Sequence, residues 1–440
     1  MADDDQSETH AVGERGVSSG QTGNGNPFKV SAGLIVVFVA ILAAIGLVVL
    51  SSAGKMTSDT YGLRGEFIIQ LRWLGAAVAC GFVAYLVNFE KIRFLALPFY
   101  ILTSLGLIWL LIKGVETKGS ARWIDLGVFK LQVSELAKVS LLFLLAQCLS
   151  VGPTVRALHA PRKFRLRSRG GKTFSWLSLN PTSGLGKFTF GFVLPSVIIG
   201  IPCILIGLAP DLGTMALCGM TGAAMLFLGG ARLRYLLPTV LAGALVFAAV
   251  IYHWPARMNR VASFLDPVAM STNEGFQLLQ GKQAFAEGGM TGKGLGNGVQ
   301  QRYFTPEAQT DFIFAAIGEE CGFYATLGVV LLFFSFFFVV LLNLLRADDL
   351  YHIHLCFGAM LFIVLQAVIN MGVVTGLLPT KGISLPFISY GGSNIVTMSI
   401  FVGVILNCMR HWARPRKTDS GYASVEWGND IEREEGKDAP

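Results

Sequence analysis

The chain has 440 residues, of which 53% are hydrophobic and only 14% charged, with a mean hydropathy of +0.58 and a formal net charge of +7. This balance excludes a soluble globular domain, because the apolar residues fall in blocks long enough to cross roughly 30 Å of hydrocarbon. The positive charge reports membrane orientation, and nothing in its distribution reads as a nucleic-acid-binding module.

Residues 1–29 open on Asp3-Asp4-Asp5 and continue rich in Ser and Gly, without the basic start or cleavage site of a secretory signal. They read as a disordered cytoplasmic tail ahead of a retained first span. Ten apolar runs follow, at 30–51, 67–88, 94–112, 132–150, 190–208, 214–229, 235–253, 319–345, 353–376 and 390–409. They are too long and too uniformly apolar for barrel strands, so the expected fold is an all-α polytopic membrane protein with ten transmembrane helices. The sixth run is short and contains glycine. The membrane domain spans 30–410, and residues 411–440, which turn from basic to mixed charge, read as a second disordered cytoplasmic tail.

An even number of spans puts both termini on one side. With the termini in the cytoplasm, the inner segments hold 21 Lys and Arg and the outer ones 12, which is the bias expected of that orientation. Much of it comes from 151–189, a basic cytoplasmic loop with eight cations and no Asp or Glu, suited to topology retention or to anionic lipid headgroups. Seven cysteines lie in or at the ends of spans and form no disulfide framework or CxxC site. The six histidines are scattered, with only His352 and His354 adjacent, so no zinc site is expected.

Three outer segments carry the unusual polar residues. In 113–131 and the start of the fourth span, Arg122 beside Trp123 offers a planar cation, and Glu135 with Lys138 forms an i,i+3 pair that reads as an internal ion pair. Asp211, in the Pro210-Asp211 turn, reads mainly as a helix cap.

The segment 254–318, between the seventh and eighth spans, is too long for a plain connector and is expected to bound an extracytoplasmic site. Its glycine-rich stretch 288–298 lacks the spacing of a nucleotide loop and reads either as a hinge or as a cradle for a diphosphate. Next, Thr305-Pro306-Glu307 looks like a helix start, and a helix running on from it puts Glu307 and Asp311 four apart on one face. Asp311 adjoins an uncharged run from Phe312 to Ile317, where desolvation favours the protonated carboxyl, a property suited to a general base; satisfying local backbone donors is the structural alternative. The third outer segment, 377–389, continues into Gly391-Gly392; its Pro and Gly residues break the helix and aim Lys381 into a polar cavity.

Together, SARWIDLG with QVSELAK, PDLGT, FQLLQGKQAFAEGGMTGKGLGNGVQQ, PEAQTDFIFAAIGEE and PTKGISLPFISYGGSN resemble, in order, the SEDS family of cell-wall proteins over most of residues 30–410. The Thr-Lys-Gly and LGNGVQ spacings are more similar to its division branch than to its elongation branch. The resemblance implies a peptidoglycan glycosyltransferase at the outer face of the cytoplasmic membrane, at the division septum. It polymerises lipid II with inversion and pairs with a class B penicillin-binding transpeptidase and other division proteins. It also implies Asp311 as the catalytic aspartate and Arg122, Glu135, Lys138, Asp211 and Lys381 as substrate-binding residues lining the outward cavity; Glu307, four before Asp311, is placed with them from its spacing alone. A divalent cation, Mg2+ or Mn2+, is an open possibility for the leaving group. The chain departs from the family's usual pattern at Gln309 (His), Val133 (Pro) and Ala209 (Gln). A lipid II flippase and a non-catalytic division scaffold stand as alternatives.

Overall fold

The computed structural model describes residues 27–53, 62–113, 123–125, 130–150, 188–267, 274–300 and 309–414. The described residues are almost wholly helical. The long elements are α1 (Pro27–Ala53), α2 (Gly62–Leu86), α4 (Ala96–Lys113), α5 (Val133–Ser150), α6 (Leu194–Leu208), α7 (Leu212–Leu228), α8 (Leu233–His253), α11 (Ile313–Leu344), α12 (Leu350–Val374) and α13 (Gly392–Trp412). Shorter pieces are α3 (Phe89–Ile92), which leads through a 3-10 turn into α4, and α9 (Pro255–Leu265) and α10 (Glu274–Gly288) in the long segment after α8. A two-stranded antiparallel ribbon, β1 (Trp123–Asp125) with β2 (Lys130–Gln132), runs directly into α5.

Nine of these helices, α6 with its preceding π-turn among them, are long and apolar enough to cross a membrane; α7, at 17 residues, is the shorter apolar helix among the described residues. Large apolar side chains such as Val78, Leu102, Ile204 and Leu245 stand exposed along them, as lipid-facing side chains do. Each of the ten apolar runs falls on a helix, but the eighth misses the start of α11, which begins at Ile313 rather than 319, because Glu319 and Glu320 read as a polar end when both are buried inside the helix.

Four elements lay below the resolution of hydrophobic periodicity: the two three-residue strands, and the amphipathic α9 and α10. The helix expected to continue from Thr305-Pro306 is not present over the described part of that segment. Residues 309–312 form a turn, so Asp311 precedes α11 rather than lying within a helix; Glu307 lies outside the described residues.

α5, α12 and α13 form the buried centre, whereas in α8 only 6% of the most apolar stretch is buried. α13 packs along α2 and α12, and α12 along α5, α7 and α11. The α2–α13 crossing is close because Gly81 and Gly403 lack side chains: a methyl on Gly81 would lie 2.7 Å from the Ser399 carbonyl, and one on Gly403 would strike the Gly81 carbonyl. At the end of this pair, the Asn407 amide donates to the carbonyls of Ala84 (3.3 Å), Tyr85 (2.7 Å) and Val87 (2.6 Å), satisfying groups that the end of α2 leaves unpaired.

Candidate active site

The ends of α1, α5, α7, α11, α12 and α13 that meet around residues 375–391 form one polar end of the bundle. Asp311 lies there, half-buried, in the turn 309–312. That turn is held through its backbone: Tyr390 N donates to Gln309 O (3.0 Å), Ser389 Oγ to Thr310 O (2.5 Å) and Asn370 Nδ2 to Asp311 O (2.8 Å). Three successive carbonyls are thus tied to α12 and to the broken segment after it. Asn370 Nδ2 also donates to Ile383 O (2.6 Å), which couples the segment carrying Lys381 to the turn carrying Asp311.

The carboxylate itself presses on backbone. A methyl at Gly382 would lie 2.7 Å from Asp311 Oδ2, so glycine at 382 is what lets the acid approach the chain beside Lys381. The Lys381 stem crosses the start of α7, where a methyl on Gly213 would fall 2.9 Å from its Cε, and its ammonium lies 5.8 Å from the Phe247 ring of α8. Two residues before Gly213, Asp211 caps α7 by accepting from Thr214 N (3.3 Å) and accepts a longer bond from Ser134 Oγ (3.4 Å).

Beneath this surface a polar chain runs into the bundle. Glu135 Oε1 pairs with Lys138 Nζ at 2.8 Å, and Lys138 Nζ donates to Gln366 Oε1 (3.0 Å). Gln366 Nε2 donates in turn to Asn394 Oδ1 (2.8 Å) and Ser384 O (2.9 Å). Lys138 is 1% exposed and Glu135 6%, so the pair is an internal one, and Glu135 Oε2 has no partner among the described residues. Arg122 and Glu307, the remaining expected substrate-binding residues, lie outside the described residues.

The glycine-rich stretch is neither a free hinge nor an open diphosphate cradle. Lys293 N and Gly294 N donate to the carbonyls of Glu319 (3.0 Å) and Glu320 (2.9 Å), while Phe323 N donates to Gly289 O (2.9 Å). The anion it encloses is the chain's own: Glu319 Oε1 accepts from Val299 N (2.6 Å), Gln300 N (3.1 Å) and Lys293 Nζ (3.3 Å). Glu320 Oε2 accepts from Ser52 Oγ of α1 (2.5 Å). Lys293 also pairs with Glu287, and this hydrogen bond holds the Glu287 carboxyl below its ordinary range and the Lys293 ammonium above its own.

Sequence reading passed over Gln366, Asn370, Ser389 and Asn394, which organise the site. A signal was present: Gln366 and Asn370, four apart, share one face of an otherwise apolar helix, and amides buried in a span need partners. What they bond to depends on elements far along the chain.

The sequence profile of the FtsW/RodA/SpoVE family, described as cell cycle protein, matches residues 32–414. Among similar proteins, the Probable peptidoglycan glycosyltransferase FtsW of Nitrosococcus halophilus is 36% identical over 380 residues, covering 83% of this chain and 88% of that one. Stage V sporulation protein E of Bacillus subtilis is 33% identical over 383 residues, covering 86% of this chain and 96% of that one.

A chain of the solved structure described as the structural coordination of polymerization and crosslinking by a peptidoglycan synthase complex superposes with a TM-score of 0.66 at 25% identity, covering 86% of this chain and 97% of that one. The rod shape determining protein RodA of Thermus thermophilus shares the fold, with a TM-score of 0.59 at 23% identity over 87% of this chain and 97% of that one. On these matches the chain belongs to the FtsW/RodA/SpoVE family of membrane proteins.

Proposed function

We propose that this protein is a peptidoglycan glycosyltransferase of the division branch, polymerising lipid II into glycan strands at the septum, with Asp311 as general base. The observation that carries the reading is the anchoring of Asp311: a half-buried carboxylate on a turn tied down at three successive carbonyls, against the backbone of Gly382 and next to the only cation of the broken segment. A base held in this way needs little reorganisation to act.

Asp311 takes the proton from the sugar 4-hydroxyl of the acceptor lipid II. The oxygen attacks the anomeric carbon of the donor from the face opposite its lipid. The bond to the undecaprenyl diphosphate breaks with its electron pair on the leaving diphosphate, and the configuration inverts. Lys381 is the cation of the described site suited to stabilise that charge, since Lys138 is already paired with Glu135 in the interior. Arg122 and Glu307 complete the substrate-binding set, and Asp211, Glu135 and Lys138 support it from below.

The Lys and Arg bias supports a cytoplasmic-membrane orientation with both tails inside, the catalytic segment 254–318 outside and ten spans. A class B penicillin-binding transpeptidase is the proposed partner, on the strength of the likeness to the peptidoglycan synthase complex.

The test is gel analysis of glycan chains made from fluorescent lipid II by the purified protein with its partner. Asp311→Asn is expected to lower polymerisation by about 10²–10⁴-fold, the range a general base contributes, without changing thermal stability. Chain formation at the wild-type rate by that variant removes Asp311 from the chemistry. Lipid II transfer across vesicles that survives the substitution, with no polymer from the wild type, favours the transporter reading, and neither activity favours the scaffold.

A further inference from the structure

At the other end of the bundle, beside the junction of Phe28 of α1 with Trp412 of α13, four side chains from three regions of the chain converge. They are Glu90 of α3, Asp349 capping α12, His352 in the first turn of α12 and His411 in the last turn of α13, and one ligand atom from each lies within 4.8 Å of all the others. Asp349 divides its work: Oδ1 accepts from Tyr351 N (3.2 Å) to cap the helix, while Oδ2 faces His352 Nδ1 and stands 3.8 Å from His411 Nε2. The two imidazoles stack with centroids 3.9 Å apart and planes 10° from parallel. His352 is 2% exposed and Glu90 lies at the surface, so the group is built into the fold and open at one side.

Two stacked imidazoles repel one another if both are protonated, whereas both are neutral nitrogen donors to a metal ion. We propose that Glu90, Asp349, His352 and His411 form a binding site for a divalent transition-metal ion of the zinc class. Two imidazole nitrogens with two carboxylate oxygens suit such an ion, whereas magnesium and calcium take oxygen ligands. A tetrahedral ion about 2.0–2.1 Å from its nitrogen donors holds them about 3.3 Å apart, and because each donor nitrogen points at the ion in the plane of its own ring, His352 and His411 turn out of their parallel stack to bind it.

The four charges balance: two carboxylates against a doubly charged ion. Eighteen residues of α12, about 27 Å of helix, separate His352 from Asn370, so the ion acts at a distance from the polymerisation site. It ties the elbow between α2 and α4 to the ends of α12 and α13. The neighbouring His354 is no part of it, since its Nδ1 faces Leu350 O (2.7 Å); the partner of His352 is His411, far along the chain.

The experiment uses the full-length protein in detergent, stripped with a chelator and titrated with Co2+, whose visible absorption reports coordination by nitrogen and oxygen, followed by displacement with Zn2+. Wild type and Asp311→Asn are expected to bind one equivalent and to gain thermal stability with Zn2+. His411→Gln and Asp349→Asn are expected to bind at least about 100-fold more weakly, beyond the 10–100-fold typical of losing a supporting partner. Glu90→Gln, at an exposed position that folding tolerates, is expected to weaken binding and to leave the metal-free melting temperature unchanged. A wild-type protein that takes up no Co2+, or variants that bind it as wild type does, overturn the proposal.

Discussion

Single residues set the tolerance of this site. Asn370 is 1% exposed, and its amide joins the Asp311 carbonyl to that of Ile383. Asn370→Ala removes both of these buried hydrogen bonds and is expected to cost about 1–3 kcal/mol. If Asp311 is the base proposed above, misplacement of its turn is expected to lower kcat by roughly 10–100-fold with little change in KM for lipid II, as steady-state kinetics on the purified complex will read. Lys138 answers to a different rule: removing it strands Glu135 in the interior, so Lys138→Met is expected to cost about 3–5 kcal/mol in thermal unfolding, and the double change with Glu135→Gln less. Glu135 and Lys138 were legible because an i,i+3 pair is local, and Asp311 because an acid stands beside an apolar run. Asn370 and Ser389 were not, because their partners are carbonyls 59 and 79 positions away in the chain.

At the scale of elements, α11 and the glycine-rich strap after α10 form one unit. Gly322 interrupts α11 with φ 76° and ψ −171°, a conformation in effect reserved for glycine, and a methyl there would lie 2.6 Å from the Met290 carbonyl of the strap. Gly322→Ala is therefore expected to destabilise by more than about 1–3 kcal/mol, visible as a lower melting temperature in detergent. The strap's exposed clasp, Glu287 with Lys293, gives a pH signature.

The Glu287 carboxyl is held low by Lys293, so its contribution is complete above the ordinary carboxylate range and fades as pH falls through the lowered value. The Lys293 ammonium is held high, so its contribution is complete below the ordinary lysine range and fades as pH rises through the raised value. Hydrogen exchange at Lys293 and Gly294 is expected to be faster in Glu287→Gln than in wild type at neutral pH, and equal in the two at acid pH. Glycines at 288–298 could be read as permitting tight turns. That the anion they wrap is Glu319 could not, since that carboxylate is 20 positions along the chain from Val299.

Across the whole molecule, the alternation of spans puts the Asp311 region and the His352–His411 cluster at opposite ends. In a chain freed of its own cysteines, Lys381→Cys is expected to react with an impermeant maleimide added outside intact cells, and Arg414→Cys only after the membrane is opened. Labelling of both from outside would refute the orientation. The sequence by itself determined the class, the approximate positions of the apolar helices and the family, because long apolar runs and contiguous motifs are local properties that hydrocarbon solvation enforces one segment at a time. Only the tertiary structure decided which polar groups meet: Asn370 with the Asp311 turn, the strap with Glu319, and His411 with His352. Such pairings follow from which helices lie side by side, and in lipid that is settled by the shape of the contacts, such as Gly81 against Gly403, rather than by any periodic pattern along the chain.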